Sequence, residues 1–277
     1  MKKQTTGKYR NTIDKFYTKK EIVQLCIEKS KSLLKIDKKD IIIEPSAGNG
    51  SFIENIKQTC DQWYAFDIMP EHPEIIQQNY LEFNYQKIQK KSSNNRTHVI
   101  GNPPFGRQSS LALKFIKHSS MFCDSISFIL PKSFKKNSLK DKISLQFHCI
   151  FEMDLPDNSF LMNKKEYNVP CVFQIWQKLE TKREKTKKMK PKNYEFGKKE
   201  QEHDISFRRV GVYAGKVDID TEKKSIQSHY FIKFHNGLFT SELLNKLKNI
   251  NYSSRDYTVG PKSIGKQELI KEFNMIL

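Results

Sequence analysis

Three consecutive isoleucines, Ile41-Ile42-Ile43, run straight into Glu44-Pro45-Ser46-Ala47-Gly48-Asn49-Gly50. A short unbroken β-branched run suits a strand buried on both faces, and such strands belong to parallel sheets covered by helices. The glycines let the backbone take positive φ and let a ligand come close. A helix marked by Phe52, Ile53 and Ile56 would then turn its first N–H groups towards that ligand. The dinucleotide spacing Gly-x-Gly-x-x-Gly is missing, and a lone Gly-x-Gly is weak. Two acids strengthen it: Glu44 ahead of the turn, and Asp67 at the end of an expected strand over 63–66. A carboxylate there can accept both hydroxyls of a ribose.

The same alternation continues. Strands are expected at 97–101, 125–130, 149–155 and 172–176, and a helix at 111–122. A further helix is expected from Thr18 as N-cap, with Glu21 closing a capping box. Strands alternating with helices give a parallel-type α/β sheet, whose ligands sit beyond the carboxyl ends of the strands. Glu44, Asp67 and Asn102 all fall at such ends. After Trp176 the chain changes character. The expected division is a catalytic domain over 1–178, a basic linker over 179–203, and a small β-rich module over 204–277. That module is read with strands at 205–207, 210–213 and 229–234 and a helix near 267–273.

Lys and Arg number 49 against 31 Asp and Glu, a net charge of +18 that favours a polyanionic partner, nucleic acid foremost. The 19 Phe and 11 Tyr supply a core. Cys26, Cys60, Cys123, Cys149 and Cys171 form no close pair and no zinc spacing, so they read as buried thiols. His118, His148, His203, His229 and His235 show no metal-ligand spacing, and no metal is expected. Met1-Lys2-Lys3-Gln4 leads into no apolar stretch, and no apolar run reaches the roughly 18 residues of a membrane span. A soluble intracellular protein is expected.

The fourth signal is Asn102-Pro103-Pro104-Phe105. The N6 lone pair of adenine is delocalised into the ring, which makes the amine a poor nucleophile. Two acceptors on its two hydrogens favour a pyramidal nitrogen whose lone pair is free for attack. Asn102 can offer its side-chain carbonyl and Pro103 its backbone carbonyl. The two prolines fix φ in advance, and Phe105 can lie against the base. A paired base must leave its stack to reach such a site.

At these motifs the chain resembles the class I S-adenosylmethionine-dependent methyltransferases, specifically the N6-adenine amino-methyltransferases with Asn-Pro-Pro-Phe or Asn-Pro-Pro-Tyr. Asp14-Lys15-Phe16-Tyr17-Thr18 is similar to that family's Phe-Tyr-Thr-Pro segment, with Lys19 in place of proline. The order of motifs is the gamma arrangement of DNA adenine enzymes, and the resemblance covers residues 12 to about 177. It implies a Rossmann-like sheet with helices on both faces, and S-adenosylmethionine as cofactor. Position by position it assigns Tyr17, Thr18, Glu44, Pro45, Ala47, Gly48, Gly50 and Asp67 to the cofactor. Glu44 would lie near the methionine ammonium and Asp67 at the ribose. Asn79 stands where the family has an Asp against the cofactor's adenine amine, and its oxygen can still accept. Asn102, Pro103, Pro104 and Phe105 would be catalytic. Arg107 and Lys132 are expected to meet substrate phosphates, with Lys135 and Lys136 on the same rim. DNA is the first expectation for the substrate and RNA the alternative. Glutamine methyltransferases share the tetrapeptide, but the basic excess disfavours them. A catalytically silent nucleic-acid-binding relative is the remaining alternative, with Asn79 as the departure that leaves room for it.

Overall fold

The computed structural model describes residues 16–88 and 94–277; Asp14 and Lys15 lie outside the described residues. The chain packs as two units, one of Met1–Leu130 with Gln146–Lys182, the other of Pro131–Leu145 with Arg183–Leu277. The first unit contains β1 (Tyr17–Thr18), α1 (Lys20–Leu34), β2 (Ile41–Glu44), α2 (Ile53–Thr59), β3 (Gln62–Asp67) and β4 (Ile76–Gln77). It continues with β5 (Thr97–Gly101), α3 (Ser110–Ser119), β6 (Ser125–Pro131), β7 (Phe147–Asp154), β8 (Phe160–Met162), β9 (Lys165–Tyr167) and β10 (Cys171–Lys178).

Seven strands form one sheet in the order β4-β3-β2-β5-β6-β10-β7. The first five are mutually parallel, and β10 runs antiparallel to β7. β2, β5 and β6 are buried along their whole length, and in β2 burial on both faces explains the unbroken isoleucine run. The chain leaves β2 in one direction through β3 and β4, then returns to its other side as β5. The crevice between the ends of β2 and β5 is therefore the topological switch point, where open α/β sheets bind ligands.

Thr18 does not cap α1. The cap position is Lys19, with no side-chain cap bond; Tyr17 and Thr18 pair antiparallel with Leu161 and Phe160. The Thr-x-x-Glu spacing fits a capping box, but strand pairing claims this backbone first. The partner strand belongs to a β8–β9 hairpin with left-handed Asn163 and Lys164 at its tip.

At the opposite end of the sheet from the switch point, a buried polar network ties the strand starts together. Asp40, 1% exposed, accepts from the backbone N–H groups of Asp37 (2.9 Å) and Arg96 (3.0 Å) and from the Arg96 guanidinium (2.8 Å). His98 reaches Asp40 at 3.3 Å and Ser125 at 2.7 Å. Burial alone would raise the Asp40 carboxyl; the bonds from His98, Asp37 and Arg96 outweigh it and hold the group well below the usual carboxylate range. This contribution is complete above the unfolded carboxylate pKa, about 4, and is lost as pH falls from there through the folded value. Asp40→Asn should therefore cost about 3 kcal/mol at neutral pH and flatten the acid limb of a melting-temperature profile. An unchanged limb would remove this account.

The second unit holds α4 (Asn137–Lys140), β11 (Tyr194–Gly197), β12 (Ile205–Arg208), β13 (Val217–Asp218), β14 (His229–Phe234), α5 (Ser241–Lys248) and α6 (Lys266–Ile276). Its sheet runs β11-β14-β12-β13 and packs with α5 and α6 through Tyr194, Phe207, Ile232, Leu247, Leu269 and Phe273. The unit is thus α+β. β11 lies in the stretch read as linker, because Tyr194 is a core residue. Residues 210–213 form no strand: Val212 and Tyr213 are exposed on a turn flanked by Gly211 and Gly215. His229 and Phe231 are buried and pack the module. The five cysteines are free thiols, with only Cys149 short of full burial. Among the described residues no helix is long and apolar enough to cross a membrane.

Candidate functional site

The ends of β2, β3 and β5 gather the expected residues of the first unit. Glu44 is 2% exposed and its Oε2 has no hydrogen-bond partner among the described residues. Burial, helped by the nearby Asp67 charge, pushes its carboxyl from the ordinary 4.5 up to about 8. An orphaned buried carboxyl is costly unless a cation from outside completes it.

The turn after β2 takes left-handed geometry at both glycines, φ +52° at Gly48 and +78° at Gly50. A Cβ at Gly50 would meet His72 at 2.9 Å. Gly50→Ala is therefore strained in both backbone and contact, and should weaken binding of S-adenosylmethionine, the cofactor the resemblance implies, by about tenfold or more through a 1–3 kcal/mol distortion of the loop; titration with S-adenosylmethionine checks this. Ala47 N–H donates to Phe66 O (2.8 Å), which ties the turn to β3. Asp67 accepts from Gly48 N–H and Met69 N–H, 2.8 Å each, and each oxygen keeps a lone pair for a ligand hydroxyl. Pro45 follows Glu44 at the mouth of the turn.

Tyr17 lies over the turn: a Cβ on Gly48 would stand 3.4 Å from its Cε1. Its hydroxyl donates to Glu71 at 2.7–2.8 Å, and burial with that acceptor raises it to about 12. Asn79 is differently employed. Its Oδ1 accepts from Leu81 N–H (3.1 Å) and its Nδ2 donates to Glu82 (2.7 Å), capping the short turn Tyr80–Glu82. One lone pair on Oδ1 is what it has left to offer. Ile68, which the sequence pattern did not single out, is an exposed apolar side chain next to Asp67; it offers a surface for a flat base.

Asn102 carries the decisive geometry. Its Nδ2 donates to Phe16 O and to Thr18 Oγ1, both at 3.3 Å, and its backbone O accepts from Ser46 Oγ (3.1 Å). Those anchors fix the amide plane, and Oδ1 is left without a hydrogen bond among the described residues. The Pro103 carbonyl makes none either. Thr18 thus acts on the amide rather than as a helix cap. Phe105, like Phe16, packs against the core cluster that includes Val169. Its carbonyl accepts from Leu111 and Ala112 N–H (3.2 Å), fixing the start of α3. Arg107 is exposed in the turn after Gly106.

Lys132 belongs to the second unit, in the turn Lys132–Lys135. Of its neighbours, Lys136 is committed internally, donating to Ser263 O (2.7 Å) and Glu268 (3.2 Å), and Lys135 lies over the Tyr257 ring at 4.8 Å. Both lysines thus have contacts within their own unit.

No family model matches the chain. It is 26% identical over 222 residues to the ribosomal RNA small subunit methyltransferase A of Francisella tularensis, covering 72% of this chain and 80% of that one. Among solved structures it is similar to the methyltransferase subunit of a type I restriction-modification system from Streptococcus thermophilus, with 15% identity and TM-score 0.43. That match covers 61% of this chain and 47% of the other, so the chain spans just under half of that subunit. It is also similar to the 23S rRNA methyltransferase ErmE, with 11% identity and TM-score 0.43, covering 61% and 71%.

The fold is a mixed seven-stranded α/β sheet with its first five strands parallel, as the strand and helix pattern predicts. The residues present fit S-adenosylmethionine, the cofactor that the sequence resemblance implies. Glu44 supplies an unpartnered carboxyl that can ionise against an ammonium, Asp67 free lone pairs for a diol, and Gly48 and Gly50 a turn without side chains.

Proposed function

We propose that the protein transfers a methyl group from S-adenosylmethionine to the N6 amine of adenine in nucleic acid. The observation that carries this reading is the pair of unengaged acceptors, Asn102 Oδ1 and Pro103 O, beside a pocket whose residues fit that cofactor. The cofactor supplies an electrophilic methyl on a sulfonium. The chain's own residues do the rest. Glu44, Asp67 and the glycine turn hold the donor. Asn102 and Pro103 take one N6 hydrogen each, which draws the nitrogen towards a pyramid and aims its lone pair. As the N–C bond forms, the methyl–sulfur bond breaks with its electron pair left on sulfur, and one of these hydrogens is shed to solvent as a proton. Positioning provides the acceleration, and no covalent enzyme intermediate is needed. Phe105 supplies an aromatic face for the base, and a flipped nucleotide fits the open approach past exposed Pro104.

The gamma order of motifs supports DNA as substrate, with Arg107 and Lys132 as phosphate contacts. The 26% identical relative that acts on ribosomal RNA supports RNA as the second reading. A binding protein without catalysis would not need the bonds that hold Asn102 with Oδ1 free. Labelled methyl transfer to separate DNA and RNA pools tests the proposal. Label in one pool names the polymer; label in neither, from protein that binds the cofactor, overturns it. Thr18→Val keeps the shape of residue 18 but removes one anchor of the amide. It should lower kcat about tenfold, as expected for one neutral hydrogen bond, with little change in cofactor affinity. An unchanged kcat would show the anchor to be idle.

A further inference from the structure

Residues 185–192, Lys-Thr-Lys-Lys-Met-Lys-Pro-Lys, hold five lysines and no acid between Glu184 and Glu195. All five are exposed, and none has an acidic partner among the described residues. Such a run ordinarily repels itself into a loose coil, yet here its backbone is held in detail. On α6, Gln267 Oε1 accepts from Met189 N–H (2.8 Å) and Gln267 Nε2 donates to Met189 O (3.2 Å). Two helical turns further on, Asn274 Oδ1 accepts from Lys192 N–H (3.0 Å) and Asn274 Nδ2 donates to Lys190 O (2.9 Å).

The spans agree. Seven helical residues rise about 10.5 Å, and the three steps from Met189 to Lys192 cover about 10 Å only when extended. Pro191 restricts the same stretch further. The upstream end is pinned as well: Thr186 N–H and Oγ1 donate to Asp141 Oδ1 (3.3 Å each), and Arg183 donates to the carbonyls of Lys140 (2.6 Å) and Ile143 (2.8 Å). Lys271, on the α6 face between Gln267 and Asn274, joins Met189, Lys190 and Lys192 around one cleft.

We propose that this strapped segment is a rail for the phosphate backbone of a nucleic-acid substrate. The proposal rests on the reading of nucleic acid as the substrate. The amide clamps hold the stretch with Lys190 and Lys192 extended, and the Thr186 bonds to Asp141 pin the upstream end that carries the other three lysines. An anionic strand relieves their mutual repulsion and finds them already ordered, so less entropy is lost on binding.

Two variants test it by fluorescence anisotropy across a salt series, with a labelled DNA duplex and a labelled single-stranded RNA. Replacing Lys185, Lys187, Lys188, Lys190 and Lys192 by Gln should lower the log–log salt slope by roughly 0.9 per lost duplex contact, or 0.7 for a single strand. Gln267→Ala with Asn274→Ala keeps every charge and releases the strap. It should weaken binding several-fold with an unchanged melting temperature. Wild-type affinity in the clamp variant, or an unchanged slope in the lysine variant, overturns the rail. So does tight capture of phosphatidylserine vesicles in preference to both nucleic acids. The two readings fail separately: a failed methyl-transfer reading leaves binding without product, and a failed rail leaves product with an unaltered slope.

Discussion

Asn102→Ala is expected to lower kcat about a hundred- to a thousandfold, the scale seen when one preorganised hydrogen-bonding group is removed from a reaction centre, while the protein still binds cofactor. The separation of effects follows from where the side chain is tied. Its Nδ2 anchors point to Phe16 and Thr18, and its Oδ1 points to no protein group. Removal therefore deletes an acceptor felt by the substrate amine and leaves Glu44, Asp67 and the glycine turn in place. The loss of the two 3.3 Å anchors should loosen β1 slightly and shift the melting temperature little. A variant that binds the cofactor and keeps wild-type kcat would show that Asn102 does not face the reacting amine.

Glu44→Gln is expected to make the protein more stable and the cofactor weaker. With the carboxyl pushed to about 8, the free protein carries it mainly protonated at pH 7. The sign is that of an acid whose folded value lies above its unfolded one. It favours the folded state fully below the unfolded value near 4.5, and that contribution disappears as pH rises through about 8. A glutamine avoids the cost of ionisation, so the variant should gain about 3 kcal/mol over the wild type at pH 7 and little at pH 4. It also lacks the anion that an ammonium needs, and should bind S-adenosylmethionine about ten- to a hundredfold more weakly. In the wild type, cofactor binding should release close to one proton at pH 7, and affinity should fall as pH is lowered from about 8. Calorimetry in buffers of different ionisation enthalpy reads that proton directly. No release, together with equal stability of the two proteins at pH 7, would mean that Glu44 is not the ammonium's partner.

What could be read from the sequence was what local pattern dictates. Ile41-Ile42-Ile43 announces a central strand because burial on both faces leaves no room for alternation, and Glu44, Asp67 and Asn102 fall at strand ends by simple counting. What escaped depends on distant partners. Thr18 followed by Glu21 has the local chemistry of a helix start, but β8, some 140 residues away, takes Tyr17 and Thr18 into a ladder. The hairpin itself turns at Asn163-Lys164, without the glycine that usually marks such turns. Residues 210–213 are apolar enough to read as a strand, yet Gly211 and Gly215, both at positive φ, turn the chain at Val212 and Tyr213. The order in the lysine run comes from amides 78 to 84 residues downstream, which no window of local composition can see. Asn79 matched the family position, but its capping of Tyr80–Glu82 appears only in three dimensions.

The most direct test is nucleoside mass spectrometry of DNA and RNA digested after reaction with the wild type and with Asn102→Ala. The account predicts N6-methylated adenine nucleoside as the methylated product in one polymer, lost with the variant. Methyl groups on a ring nitrogen, on a carbon or on another base, or N6 product undiminished in the variant, would contradict it.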